Sequence, residues 1–214
     1  MSELERVVRE RGAVLEEECP ATGFRVEGGG VTSVETPRGP IAAKEILLAT
    51  GAWSPQLGKR LGLRIPVQPG KGYSLTMAPP PAGPRIPMLL RERRMAVTPW
   101  GSGFRLGGTM EFAGYDDRLD PVRLAALMRG AALYLKGPLP ADGHEAWTGW
   151  RPMTPDDLPI LGRAPGLANV TLAVGHNMLG TTLAAGTGLV ISELITGRAS
   201  SVDLAPFAVT RFGG

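Results

Sequence analysis

Three short segments of this 214-residue chain carry residue types whose spacing can do chemistry. The first is Gly149-Trp150-Arg151-Pro152, running on through Asp156 and Asp157 to Gly162. An arginine between a tryptophan and a proline sits on restricted backbone, and its planar fork can clamp a carboxylate through two charge-assisted hydrogen bonds. The same guanidinium can instead pair structurally with Asp156 or Asp157. The second segment is Gly175-His176-Asn177-Met178-Leu179-Gly180-Thr181-Thr182, followed by an apolar run containing Ala184, Ala185, Gly186 and Gly188. Free N–H groups at a helix start carry partial positive charge and suit an anionic group. Small residues on the first two turns would let a flat ring, or simply the neighbouring sheet, come close. The third is Ala49-Thr50-Gly51-Ala52-Trp53-Ser54-Pro55, where Gly51 allows close backbone approach at the carboxyl end of a strand. The plainer reading there is a strand-to-helix turn with Trp53 as packing.

Other chemistries find less support. His144 and His176 are the only histidines, too few for a metal site without convergent carboxylates, and no metal is expected. A single cysteine, Cys19, excludes an internal disulfide and a cysteine metal cluster, and no nucleophile–histidine arrangement has local support for hydrolysis. Gly186-Thr187-Gly188-Leu189-Val190-Ile191 lacks the third glycine of a dinucleotide fingerprint and lies in a helical run, so that fingerprint is absent. The net charge of +3 is spread among mixed signs, and Arg91-Glu92-Arg93-Arg94 reads as a solvated turn, so no nucleic-acid face is expected. No apolar run approaches the ~18 residues of a membrane span, and no signal peptide is expected.

The elements that must position these segments are legible in outline. Ser2 and Glu5 have capping-box spacing, with Leu4, Val7 and Val8 as an apolar stripe and Gly12 as the stop. A meander follows, leading into Ile46-Leu47-Leu48-Ala49, continuous enough for a strand buried on both faces. Residues 63–147 alternate as an antiparallel sheet does, with a hairpin turn at 101–103. One helix interrupts them: Asp120 caps it, Pro121 is its first residue, Leu124, Leu127, Met128, Ala131 and Leu135 share a face, and Gly137 lies beyond its end. A strand at 170–174, a glycine turn and a helix over 182–196 close the chain. The expected fold is α+β with an α/β part: a domain made of both chain ends, 1–62 and 148–214, with a mainly antiparallel sheet and helix, 63–147, inserted between them.

In this order, Leu48-Ala49-Thr50-Gly51-Ala52-Trp53-Ser54, Pro69-Gly70-Lys71-Gly72-Tyr73-Ser74, Gly107-Gly108-Thr109-Met110-Glu111, the 149–162 segment and Gly175-His176 with Leu179-Gly180-Thr181-Thr182 resemble the D-amino-acid oxidase superfamily of flavoproteins. The likeness is greatest to bacterial D-amino-acid dehydrogenases. It implies an incomplete Rossmann-like FAD-binding domain and an inserted substrate domain, with Arg151 on the substrate carboxylate. Gly51, Trp53, Gly175, His176, Leu179, Gly180, Thr181 and Thr182 would then lie against FAD. Tyr73 is a second catalytic candidate. The implied reaction is hydride transfer from a small amino acid to flavin N5, giving an imine, then a 2-oxo acid and ammonia. The protein supplies orientation and electrostatics. Oxygen or a membrane quinone would take the electrons, in a cytoplasmic protein that is at most peripheral at the inner face of the membrane.

In the superfamily the glycine loop that grips the FAD pyrophosphate lies upstream of the segments matched here. The chain is therefore expected to be a fragment, a subunit completed in trans by a partner, or a remnant that binds small acids without catalysis. In each case the chain alone is expected to bind FAD weakly or not at all.

Overall fold

The structure, a computed structural model, describes residues 2–140 and 142–213. Helix α1 (Ser2–Glu10) forms where the capping spacing predicts it, but none of its residues is buried, so its apolar stripe meets no core among the described residues. Arg6 pairs with Glu3 and Glu10, and Arg9 with Glu5, along its solvent side. Next comes the meander of β1 (Gly23–Glu27), β2 (Gly30–Glu35) and β3 (Ile41–Ala42), all antiparallel.

Strand β4 (Ile46–Leu48) ends at the Gly51 turn, from which α2 (Ser54–Arg60) departs. The strand is not buried on both faces as its apolar run suggests. Leu47 is 44% exposed, and β4 is an edge strand, because among the described residues nothing covers its second face or its free edge.

The middle of the chain builds a five-stranded antiparallel sheet from β5 (Gln68–Met77), β6 (Met88–Leu90), β7 (Met95–Trp100), β8 (Gly103–Glu111) and β9 (Glu145–Met153), in the order β6-β7-β8-β5-β9. Alternation decides its faces. Tyr73, Leu75, Met77, Met95, Val97, Phe104 and Leu106 point to one side, where Leu127 and Ala131 of α3 (Pro121–Ala132) complete a core. Asp120 caps α3 by accepting from the Val122 N–H at 2.8 Å, and the helix stops about a turn before Leu135. Strand β9 runs past residue 147 to Met153, so the backbone of Arg151 belongs to this sheet.

Strands β10 (Ile160–Arg163) and β11 (Val170–Val174) follow; β11 pairs in parallel with β4 and antiparallel with β10. Their core joins Ile46, Leu48, Ile160, Val170, Leu172 and Val174 to Val31 of the meander. Asn169 ties the parts together. Its amide donates to the carbonyls of Val31 at 2.8 Å and Lys44 at 2.9 Å, and its oxygen accepts from the Val31 N–H at 2.8 Å. Helix α4 (Gly180–Ile195) packs only through its later turns: Val190 and Ile191 are buried, while residues 181–186 are exposed. Among the described residues no helix is long and apolar enough to cross a membrane.

Candidate active site

Arg151 stands directly opposite Gly70 in the β5–β9 register, with Gly149 opposite Gly72. Its guanidinium lies flat over Gly72. A Cβ built there would fall 2.2 Å from Nη1 and 2.4 Å from Cζ, so only glycine leaves the bed open. Nη1 donates to the carbonyl of Thr109 at 3.2 Å. That carbonyl is aimed by a bulge: β8 shifts register against β5 between Lys71 and Tyr73, and Thr109 takes the left-handed conformation at φ 60°.

Among the described residues no carboxylate lies within 4.0 Å of this half-buried guanidinium, and burial lowers its pKa from the ordinary arginine value. The alternative pairing with Asp156 does not occur. Asp156 is held by Arg211 instead, at 2.7 and 3.1 Å, and Arg211 also donates to the carbonyls of Leu158 and Phe207. The C-terminal turns thus occupy the nearby carboxylate and leave Arg151 unpaired. A charge desolvated without an ion partner is costly, and an incoming anion offsets that cost.

Tyr73 lies elsewhere. It is 1% exposed, on the α3 side of the sheet, where its hydroxyl donates to Glu111. Burial and then Glu111 raise its pKa. Beside it Lys71, also 1% exposed, donates to the Arg118 carbonyl at 2.6 Å. Burial alone would pull this ammonium's pKa down, but the Tyr73 hydroxyl and Glu111 hold it above its ordinary value. Arg151 and Tyr73 therefore lie on opposite faces of one sheet.

The 175–180 turn is brought to Arg151 by Asn177. Its backbone N–H donates to the Pro152 carbonyl at 3.1 Å, and its side-chain oxygen accepts from the Thr154 N–H at 2.8 Å. Its amide donates to the Thr154 hydroxyl and the Gly175 carbonyl, each at 3.1 Å. Gly175 and Asn177 both have positive φ, 73° and 53°. The signal for this role in the sequence is the tolerance of asparagine for left-handed backbone.

The Gly51 turn, at φ 52°, is closed by Ser54, whose hydroxyl donates to the Gly51 carbonyl at 2.7 Å. Trp53 stands edge-on to Trp150, with ring centroids 5.6 Å apart, and Tyr115 stands edge-on to Trp150 at 5.9 Å. The Tyr115 hydroxyl donates to the Ala52 carbonyl at 2.7 Å. Tyr115 thus pins this turn beside the Arg151 strand, a role with no signal in the sequence because it depends on a contact across 63 residues.

His176 is half-buried, with Nε2 3.0 Å from the Thr187 hydroxyl, and burial lowers its pKa. Unfolded histidine takes up its proton near pH 6.5, so the unfolded state binds more protons below that value. Stability from the neutral ring is complete above about 6.5 and is lost as pH falls toward the lower folded value. Replacing His176 by glutamine is expected to flatten part of the drop in melting temperature between pH 7.5 and 5.5. An unchanged drop would show that another group governs it.

Leu179 precedes α4 without a side-chain capping bond, so the first N–H groups of the helix are free of such a cap. Leu179 and residues 181–186 are exposed, with Gly180 half-buried. An uncapped helix start, small exposed residues and the Gly51 and Gly175 turns fit the ring portion of a flavin. The described residues show no glycine loop for its pyrophosphate.

The antiparallel sheet thus carries an arginine without an ion partner over paired glycines, beside a strand–glycine turn–helix unit. The chain matches the FAD dependent oxidoreductase family over residues 1–194 and belongs to it. It is 40% identical to a D-amino acid dehydrogenase of Cereibacter sphaeroides over 191 residues, covering 88% of this chain and 44% of that protein. Against the D-amino acid dehydrogenase of Paramagnetospirillum magneticum identity is 34%, over 98% of this chain and 50% of the relative. The chain thus spans about half the length of the curated relatives it matches. Among solved structures, glycine oxidase from Geobacillus kaustophilus superposes with TM-score 0.87 at 28% identity, covering 100% of this chain and 57% of that one. Iminodiacetate oxidase from Chelativorans follows at TM-score 0.84 and 27% identity, covering 97% and 56%.

Proposed function

We propose that this chain is the substrate-binding and ring-facing part of an FAD-dependent enzyme that oxidises the C–N bond of a D-amino acid or a related small amino acid. The observation that carries this reading is the half-buried, unpaired Arg151 guanidinium on the glycine floor of β5. It would take the substrate carboxylate in two parallel hydrogen bonds. With the carboxylate anchored on β9 and the 175–180 turn tied to the same strand by Asn177, the substrate α-carbon is held at a set distance from the helix start. The substrate would react as its neutral amine, after its ammonium has given up a proton to water. FAD, when bound, supplies the two-electron acceptor for the α-hydrogen as hydride; the iminium left behind loses a proton to water, and the imine hydrolyses to a 2-oxo acid and ammonia.

Residues of the Gly51 turn, the 175–180 turn and the start of α4 would hold the ring portion of FAD. The exposed early turns of α4, the exposed Leu47 and the free edge of β4 support completion of the cofactor site by a further segment, in the same polypeptide or from a partner. Purified alone, the 214-residue chain is expected to carry far less than stoichiometric FAD by absorption spectroscopy. A stoichiometric flavin spectrum would overturn the incompleteness of the site and leave the reading of Arg151 intact.

A further inference from the structure

Trp147, Gly149 and Arg151 alternate along β9 and so share one face of the sheet. The indole of Trp147 leans forward along the strand over Gly149, where a Cβ would fall 2.3 Å from its ring. The guanidinium of Arg151 lies sideways over Gly72, which is paired directly with Gly149. Two facing glycines therefore form a bed for one planar cation and one planar apolar ring. Opposed residues in such a pair are about 5 Å apart at Cα, comparable to the reach from an amino acid's carboxylate to its side-chain ring.

Trp147 also differs from the other tryptophans. Trp53 and Trp150 pack edge-on against each other, and Trp100 lies under the guanidinium of Arg105. Trp147 is 59% exposed, and among the described residues no ring or cation stacks on it. A large indole left open beside an unpaired guanidinium is suited to an apolar group attached to a carboxylate.

We infer that Trp147 is the wall against which the substrate's side chain packs, so that the site selects amino acids with an apolar or aromatic side chain over glycine-sized ones. This rests on Arg151 binding the carboxylate. The purified chain, with its arginine Nε and tryptophan indole groups labelled with ¹⁵N, is titrated with benzoate and, separately, with acetate. Arg151→Lys and Trp147→Phe assign the two signals. Benzoate is expected to shift both, acetate Arg151 alone, and Trp147→Ala to weaken benzoate binding about five-fold with acetate unchanged. Trp147→Phe keeps an aromatic wall and retains most of the benzoate affinity, which separates this role from a folding defect. If benzoate moves Arg151 but not Trp147, or moves Trp147 equally in Arg151→Ala, the inference is overturned while the oxidoreductase family stands. If neither acid moves Arg151, the carboxylate reading itself falls.

Discussion

Replacing Arg151 by alanine in the FAD-loaded enzyme is expected to lower kcat/KM for amino-acid substrates by about 10²-fold or more, chiefly through a higher KM. The magnitude follows from two charge-assisted hydrogen bonds at roughly 1.5–3 kcal/mol each, against about 1.4 kcal/mol per factor of ten. A loss in KM with kcat nearly kept would mean that the arginine binds ground and transition states alike; a loss in both would mean that it orients the α-hydrogen. Lysine should not rescue the loss, because a point charge cannot reproduce the planar fork. Gly72→Ala offers an independent route to the same defect. Its added Cβ would sit 2.2–2.4 Å from guanidinium atoms, so the side chain must leave its bed while the core on the α3 face stays intact. Kinetics unchanged in Arg151→Ala would remove this residue from the site.

Asn177→Ala is expected to cost about 3 kcal/mol of stability. Loss of its side-chain bonds leaves buried partners at the Thr154 N–H and Gly175 carbonyl unsatisfied, roughly 1–3 kcal/mol, and alanine at φ 53° adds about 1–2 kcal/mol of strain. For a chain of this length the melting temperature should fall by about 6–12 °C. Asn177→Gly separates the two effects, since it removes the side chain but tolerates the backbone. It should fall between alanine and the parent, and a glycine variant as stable as the parent would show that the side-chain tie carries no energy. The functional consequence is coupling: without the Asn177 side chain the 175–180 turn keeps only its backbone bond to Pro152 on the strand that bears Arg151.

Much of the secondary structure was legible because it is set locally. The Asp120 cap with Pro121, the strand at 170–174, the hairpin turn after Trp100 and the glycine that ends α4 each depend on a few adjacent residues, and each stands where their chemistry puts it. The ordered motifs were enough to identify the flavoprotein family. The sequence by itself could not decide what Arg151 does, since Asp156 and Asp157 lie only a few residues away. The structure shows only which pairing is absent: Arg211, 55 residues beyond Asp156, takes that carboxylate. Nor could the sequence tell that Tyr73 and Arg151 lie on opposite faces, because that follows from the β5–β9 register. The same limit applies to β4, whose continuous apolar run reads as two buried faces although one is open in the described structure. Hydrophobic pattern states what a segment can bury; only the packed chain states what covers it, and which charge is left without an ion partner.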